Sequence, residues 1–300
     1  MSAADPTPLG GVLNVDKPAG WTSHDVVNRV RRLAGLRQVG HAGTLDPMAT
    51  GVLVVCLGRA TRLLEYLTGQ PKIYLAEVTL GVATNTYDAE GDIVSSQPAP
   101  ALSAAQIEQA LTPLRGQIMQ RPPAFSALKR DGVPLYQRAR AGETLEIAPR
   151  PAMVYELTLL HAAGPILRLR VRCGAGTYVR SLAHDLGQAL GCGAHLSALR
   201  RSAVGGFTVE NALTLEQLAG EGALRAALQP ADTAVAHLPR VEVSAAEATR
   251  LLHGQTVAAS APEQPAVARA YGPEERFLGV IFFDQPRLVW RPGKMLAGSD

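Results

Sequence analysis

Gly40-His41-Ala42-Gly43-Thr44-Leu45-Asp46-Pro47-Met48-Ala49-Thr50-Gly51 runs without a break into Val52-Leu53-Val54-Val55-Cys56-Leu57. The second half is β-branched and aliphatic, a strand that belongs in a core. The first half is a tight turn in front of it. Three glycines and Pro47 let the backbone turn sharply and let a bulky partner come close. One carboxylate, Asp46, stands in the turn, with His41 five positions upstream. Between them there is no second acid, no cysteine and no lysine. The pattern is a single acid presented on a rigid edge to something large.

Working outward, Gly11 to Asp16 predicts a strand, and Lys17-Pro18-Ala19-Gly20 a turn. Ser23 reads as the N-cap of a helix through about Leu33, with Val26, Val27, Val30 and Leu33 at helical spacing. A short helix, Thr61 to Leu67, follows the aliphatic strand. Lys72 to Leu80 alternates in the manner of a half-buried strand. A helix is predicted from near Ser103, strands over Val154–Leu160 and Ile166–Cys173, and a helix from about Thr177 to Leu190 ending at Gly191. The elements do not alternate as βαβ units, which favours an α+β fold with a mixed, mainly antiparallel sheet flanked by helices. Residues 226–239 read as a linker between a catalytic unit of residues 1–225 and a small β-rich module of residues 240–300.

The chain has 300 residues, enough for one large core and a small satellite. No apolar run approaches the ~20 residues of a membrane span, and Met1 to Pro6 do not open a secretory signal. Three scattered cysteines argue against a disulfide framework and point to a reducing cytoplasm. Residues 1–209 carry 21 Lys+Arg against 15 Asp+Glu; residues 210–300 carry 8 against 11. The larger part is thus mildly basic, as suits a polyanionic partner. No P-loop, HExxH or GxSxG is present, and Gly174-Ala175-Gly176 lacks the third glycine of a dinucleotide fingerprint. Asp88-Ala89-Glu90-Gly91-Asp92 is incomplete as a calcium loop and reads as a solvated turn.

Four further segments change the weight given to Asp46, which alone would be a turn former before proline. They are Asp16-Lys17-Pro18-Ala19-Gly20-Trp21-Thr22-Ser23, Lys72-Ile73-Tyr74 with Thr84 to Gly91, Pro122 to Lys129 with Tyr136 and Arg140, and Gly176-Thr177-Tyr178-Val179-Arg180 continuing to Leu199-Arg200-Arg201. In this order they resemble the tRNA pseudouridine synthases that make pseudouridine 55 in the T loop, the bacterial TruB type. The resemblance implies the pseudouridine synthase fold, with a PUA-like RNA-binding module at the C-terminus. It implies an isomerase, acting on the T arm of tRNA as a cytoplasmic monomer, with no metal, no other cofactor and no membrane.

In that reaction uridine loses its N1–C1′ bond, turns while bound and rejoins through C5. A lone carboxylate suffices as nucleophile or base. A glycosidase would set two acids across the bond to admit water, whereas here water must be excluded. The resemblance makes Asp46 the catalytic nucleophile and leaves open whether it first meets the sugar, the base or a sugar proton. It pairs Arg180 with Asp46, stacks Tyr74 on the flipped base, places Tyr178 at the target nucleotide and makes Leu199 an apolar wall. His41 holds the opened T loop, and Lys17 braces the active-site loops. Lys129, Arg130, Arg138 and Arg140, interleaved with aromatics, form an RNA-facing stretch. The rival readings are a non-catalytic tRNA-binding protein or RNA chaperone, and a nucleoside hydrolase, which lacks its second carboxylate.

Overall fold

The aliphatic run after the Asp46 turn lies near one end of a sheet whose strands come from two-thirds of the chain. The computed structural model describes residues 10–296 apart from 127, 131, 142, 144 and 145; of 129, 130, 134, 136 and 140 it describes the backbone alone. The sheet contains β1 (Gly11–Lys17), β2 (Val39–His41), β3 (Thr50–Leu57), β4 (Lys72–Leu80), β5 (Gly116–Gln120), β6 (Arg150–Ala163), β7 (Ile166–Cys173), β8 (Ala194–Val204) and β9 (Phe207–Thr208). Their order is β1-β3-β8-β4-β7-β6-β5, with β2 on β3 and β9 on β8. All these pairings are antiparallel except β3 with β8, where Thr50 and Gly51 meet Arg200 and Arg201. The fold is α+β with a mainly antiparallel sheet, as the sequence predicts.

Gly51 is what lets β8 come so close. Its φ is +101°, and a Cβ there would lie 2.2 Å from the Arg201 carbonyl oxygen. Only glycine satisfies both conditions.

In β4 the alternation holds residue by residue: Tyr74, Ala76, Val78 and Leu80 are buried, while Ile73, Leu75, Glu77 and Thr79 face the other side. The buried side carries the main core, where it meets Leu196 and Leu199 of β8. A helix covers it, Val179, Leu182, Ala183 and Leu186 packing down at helical spacing. Fully buried leucines such as Leu186 and Leu196 each contribute about 1.5–3 kcal/mol by leaving water.

Three helices pack on the large sheet: α1 (Ser23–Ala34), α2 (Ala104–Leu111) and the core-covering α3 (Val179–Ala189). α1 buries Val26, Val27 and Val30 against Leu13, Val15, Leu53 and Val55. Its cap is Thr22 rather than Ser23. The Thr22 hydroxyl accepts the Asp25 N–H at 3.1 Å, and the Asp25 carboxylate accepts the Thr22 N–H at 2.9 Å. Ser23 is buried and bonds the Asp46 turn: its Oγ accepts the Leu45 N–H at 2.9 Å and donates to the Leu45 carbonyl at 3.2 Å.

The C-terminal module comprises β10 (Arg240–Glu242), α4 (Ala245–Leu252), β11 (Val257–Ala258), β12 (Val267–Tyr271), β13 (Phe277–Asp284) and β14 (Val289–Met295). Its five strands run β10-β12-β13-β14-β11 around Trp290, Leu251 and Ile281. The module is fastened to the larger sheet. Arg59 Nη1 donates to the Leu296 carbonyl at 3.0 Å and Arg62 Nη1 to that of Met295 at 2.6 Å, while Val280 and Leu296 pack with Val52 and Val54. Residues 226–239 are themselves packed: Gln229 exchanges two 2.9 Å backbone bonds with Val12, and Ala234 and Val235 are wholly buried.

Candidate active site

The Asp46 turn is held from below and from both sides. Ser23 anchors Leu45, as above. The Lys17 ammonium, at the end of β1, donates to the carbonyls of Pro18 (2.9 Å), Trp21 (2.5 Å) and Pro47 (3.1 Å). Its side chain reaches no solvent, and burial brings its pKa down to about 8. On β8, Arg201 donates through Nε to the Val52 carbonyl at 2.7 Å and through Nη2 to that of Gly43 at 3.0 Å. The motif had given Arg201 no role of its own; the structure makes it a brace of the turn.

From the other side comes Arg180, on the first turn of α3. Its Nε lies 3.0 Å from Asp46 Oδ2, and its Nη2 donates to Asp46 Oδ1 at 3.0 Å. This is a two-pronged clamp on one carboxylate. The same guanidinium donates through Nη1 to Asp88 Oδ2 at 3.2 Å and to the Thr86 carbonyl at 3.3 Å, and through Nη2 to the Phe125 carbonyl at 3.0 Å.

Asp88 therefore corrects the sequence reading. Its side chain is only 5% exposed, not solvated. Its Oδ1 accepts from the Thr86 hydroxyl at 2.6 Å and the Glu90 N–H at 3.1 Å, leaving its oxygens committed to protein. The site holds two carboxylates on one arginine, not one acid alone. They differ in access: the Asp46 side chain is 32% exposed. Asp46 faces the open side and Asp88 backs Arg180.

Burial raises the Asp46 pKa above the usual carboxylate value; Arg180 opposes this and the Asp88 charge adds to it. Tyr74 and Tyr178 both have phenols pushed up by burial, with the Asp46 charge contributing to each. Leu199 pairs with Ala76 across β8 and β4, two residues beyond Tyr74, and both side chains are buried in the main core. Tyr178 is the N-cap of α3. Its backbone is gripped by buried Gln120, which accepts the Tyr178 N–H at 2.8 Å and donates to its carbonyl at 3.0 Å. The fold thus brings Asp46, Arg180, Tyr74, Tyr178 and Leu199 around one place.

His41 ends β2, near Gly43 and Arg201. Its Nδ1 is buried with no hydrogen-bond partner, and burial together with the Arg201 charge lowers its pKa. Of the basic stretch, the side chains of Lys129, Arg130 and Arg140 lie outside the described residues, and Arg138 bonds Glu143 at 2.7 Å. Among the described residues no cluster of His, Cys, Asp or Glu could hold a metal ion, and no helix is long and apolar enough to cross a membrane.

Comparison with known proteins agrees along the chain. Residues 31–179 match the TruB family pseudouridylate synthase N-terminal domain, 180–236 the tRNA pseudouridylate synthase B C-terminal domain, and 239–281 the C-terminal domain of pseudouridine synthase II TruB. Proteins named tRNA pseudouridine synthase B are similar over most of their length. That of Dehalococcoides mccartyi is 44% identical over 96% of both chains, and that of an Arthrobacter species 45% identical over 97% of this chain and all of its own. Among solved structures, an H/ACA RNP bound to a substrate RNA containing 2'-deoxyuridine includes a similar chain. It superposes with a TM-score of 0.75 at 28% identity, covering 97% of this chain and 86% of that one.

Proposed function

The chain belongs to the TruB family of pseudouridylate synthases, an isomerase acting on tRNA uridine, and from that premise we propose that its substrate is the T-loop uridine at position 55. The observation that carries the site assignment is the Arg180 clamp on Asp46, beside two tyrosines and an apolar wall.

In this reading Asp46 is the nucleophile. Burial alone would favour its neutral acid; Arg180 favours the ionised form and aims both oxygens. Tyr74 stacks on the extruded uracil, a contact worth ~1–3 kcal/mol. Extruding the base costs a few kcal/mol, and His41, neutral because buried, props the opened loop. Tyr178 meets the nucleotide from the start of α3, and with Leu199 it keeps water from the broken glycosidic bond. Lys17 braces the turn, and Arg180 owes part of its fixed position to Asp88. Lys129, Arg130, Arg138 and Arg140 take RNA phosphates. Residues 1–225 form the catalytic unit, 226–239 the connection and 240–300 the PUA-like RNA-binding unit. The enzyme acts as a cytoplasmic monomer.

The test is tritium release from a T-arm stem-loop carrying 5-tritiated uridine at position 55. Wild-type protein releases the label, and Asp46→Asn binds the RNA without releasing any. Full release by Asp46→Asn would end the assignment of Asp46. Release only from uridines elsewhere in tRNA would end the assignment of position 55.

A further inference from the structure

A groove of about 620 Å³ lies between the Gly20-Trp21 turn and the side of α1, with Asp25, Asn28, Arg31 and Arg32 completing its wall. Of these residues the site above uses only the backbone carbonyl of Trp21, as an acceptor for Lys17. Four features of the groove bear on what it binds.

The first is charge. The groove wall holds Arg31 and Arg32 against Asp25 alone, a balance of +1. Asp25 is the one acid on the groove, and its carboxylate is already occupied by Thr22 in the helix cap.

The second is vacancy in the donors. Arg31 spends one N–H of Nη1 on Asn28 Oδ1 at 3.0 Å and one of Nη2 on the Val39 carbonyl at 2.9 Å, which leaves each nitrogen a second N–H; its Nε is buried and out of a ligand's reach. Arg32 is exposed and, among the described residues, makes no ion pair and no side-chain hydrogen bond.

The third is an aromatic surface. Of the two tryptophans, Trp290 is buried in the C-terminal module, whereas Trp21 is 37% exposed at the groove. A base can stack on such a ring while arginines beside it take a phosphate.

The fourth is attachment. The Gly20 N–H donates to the Pro47 carbonyl at 2.9 Å, and Lys17 holds the carbonyls of Trp21 and Pro47 together. The groove wall is thereby bolted to the residue that follows Asp46.

We infer that this groove is a second RNA subsite, taking one nucleotide of the substrate outside the reactive position, its base on Trp21 and its phosphate on Arg31 and Arg32. The inference rests on the reading of this protein as a tRNA-modifying enzyme. It adds an RNA contact on the wall that Lys17 and Gly20 tie to Pro47.

Tryptophan emission gives a direct readout, because Trp21 is the exposed one of two. RNA titrated into wild-type protein and into Trp290→Phe should quench the emission, and Trp21→Phe should remove the quench. Trp21→Ala should weaken binding of full-length tRNA about fivefold or more, and Arg32→Ala should lower the slope of log affinity against log salt by about one. Tritium release by wild-type protein is measured alongside. Release with no Trp21 quench and unchanged affinities in both variants overturns the subsite and leaves the enzyme assignment intact. Absence of release from any RNA overturns the enzyme assignment. A quench by an acidic peptide that RNA does not compete away assigns the groove to a protein partner and overturns the RNA subsite.

Discussion

Arg180 and Arg201 lie nearly buried on either side of the Asp46 turn, one met by two carboxylates and the other by backbone carbonyls. Lys17 belongs with Arg201, since its ammonium also rests on carbonyls. The difference divides the work. A carbonyl-bound cation chiefly fixes backbone, although beside the larger effect of burial the Arg201 charge also pulls down the pKa values of neighbouring His41 and Tyr74. A carboxylate-bound arginine sets the ionisation of the acid it holds. The Arg180 side is therefore where chemistry should respond to mutation, and the Lys17–Arg201 side where stability should.

The largest effect expected is that of Asp46→Asn, which removes turnover altogether. Next comes Arg180→Lys. An ammonium cannot fork onto Asp46 and still reach Asp88, so kcat should fall by roughly a hundredfold. With weaker attraction on a buried carboxylate, the acid limb of the kcat profile should also move to higher pH. Asp88→Asn should cost less, on the order of tenfold through a looser Arg180, and should move the acid limb the other way. The Asp88 charge raises the Asp46 pKa, so its removal lets Asp46 ionise at lower pH. If both variants shifted the limb in one direction, the two-carboxylate account of Arg180 would fail.

The smallest effect tests the carbonyl side. Folded Lys17 titrates near 8 against 10.5 for the free side chain. Between those values the unfolded chain holds a proton that the folded chain lacks, so stability rises with pH across the window. Lys72 has a similar lowered value, hence the comparison must be with a variant. The stability of wild-type protein relative to Lys17→Met should grow from pH 8 to 10.5 in denaturant unfolding. A constant difference would show that Lys17 does not titrate as a buried amine.

The sheet was legible where local pattern and burial coincide. The alternation of Lys72 to Leu80 and the run Val52 to Leu57 give their strands at once. Asp46 and Arg180 were legible from motifs, since each stands in a run with little other use. Asp88 was not. Its neighbours Thr86, Glu90, Gly91 and Asp92 have turn composition, and what buries it is an arginine 92 positions away. Ser23 was misread for a related reason: both Thr22 and Ser23 can cap a helix, and only the contact with Leu45 decides between them. Residues 226–239 carry no periodicity, so nothing local marks Val235 as core.

The parallel pairing of β3 with β8 bears on when this protein becomes usable during its synthesis. The Asp46 turn waits for Arg180, 134 residues downstream, and for Arg201, whose bond to Val52 spans 149. At about 5–20 residues per second, a ribosome takes roughly 7 to 30 seconds to add that stretch. A nascent chain that already carries His41, Asp46 and Tyr74 is thus without its clamp until Arg180 has been added and folded against it. The proposed nucleophile is made early and clamped late.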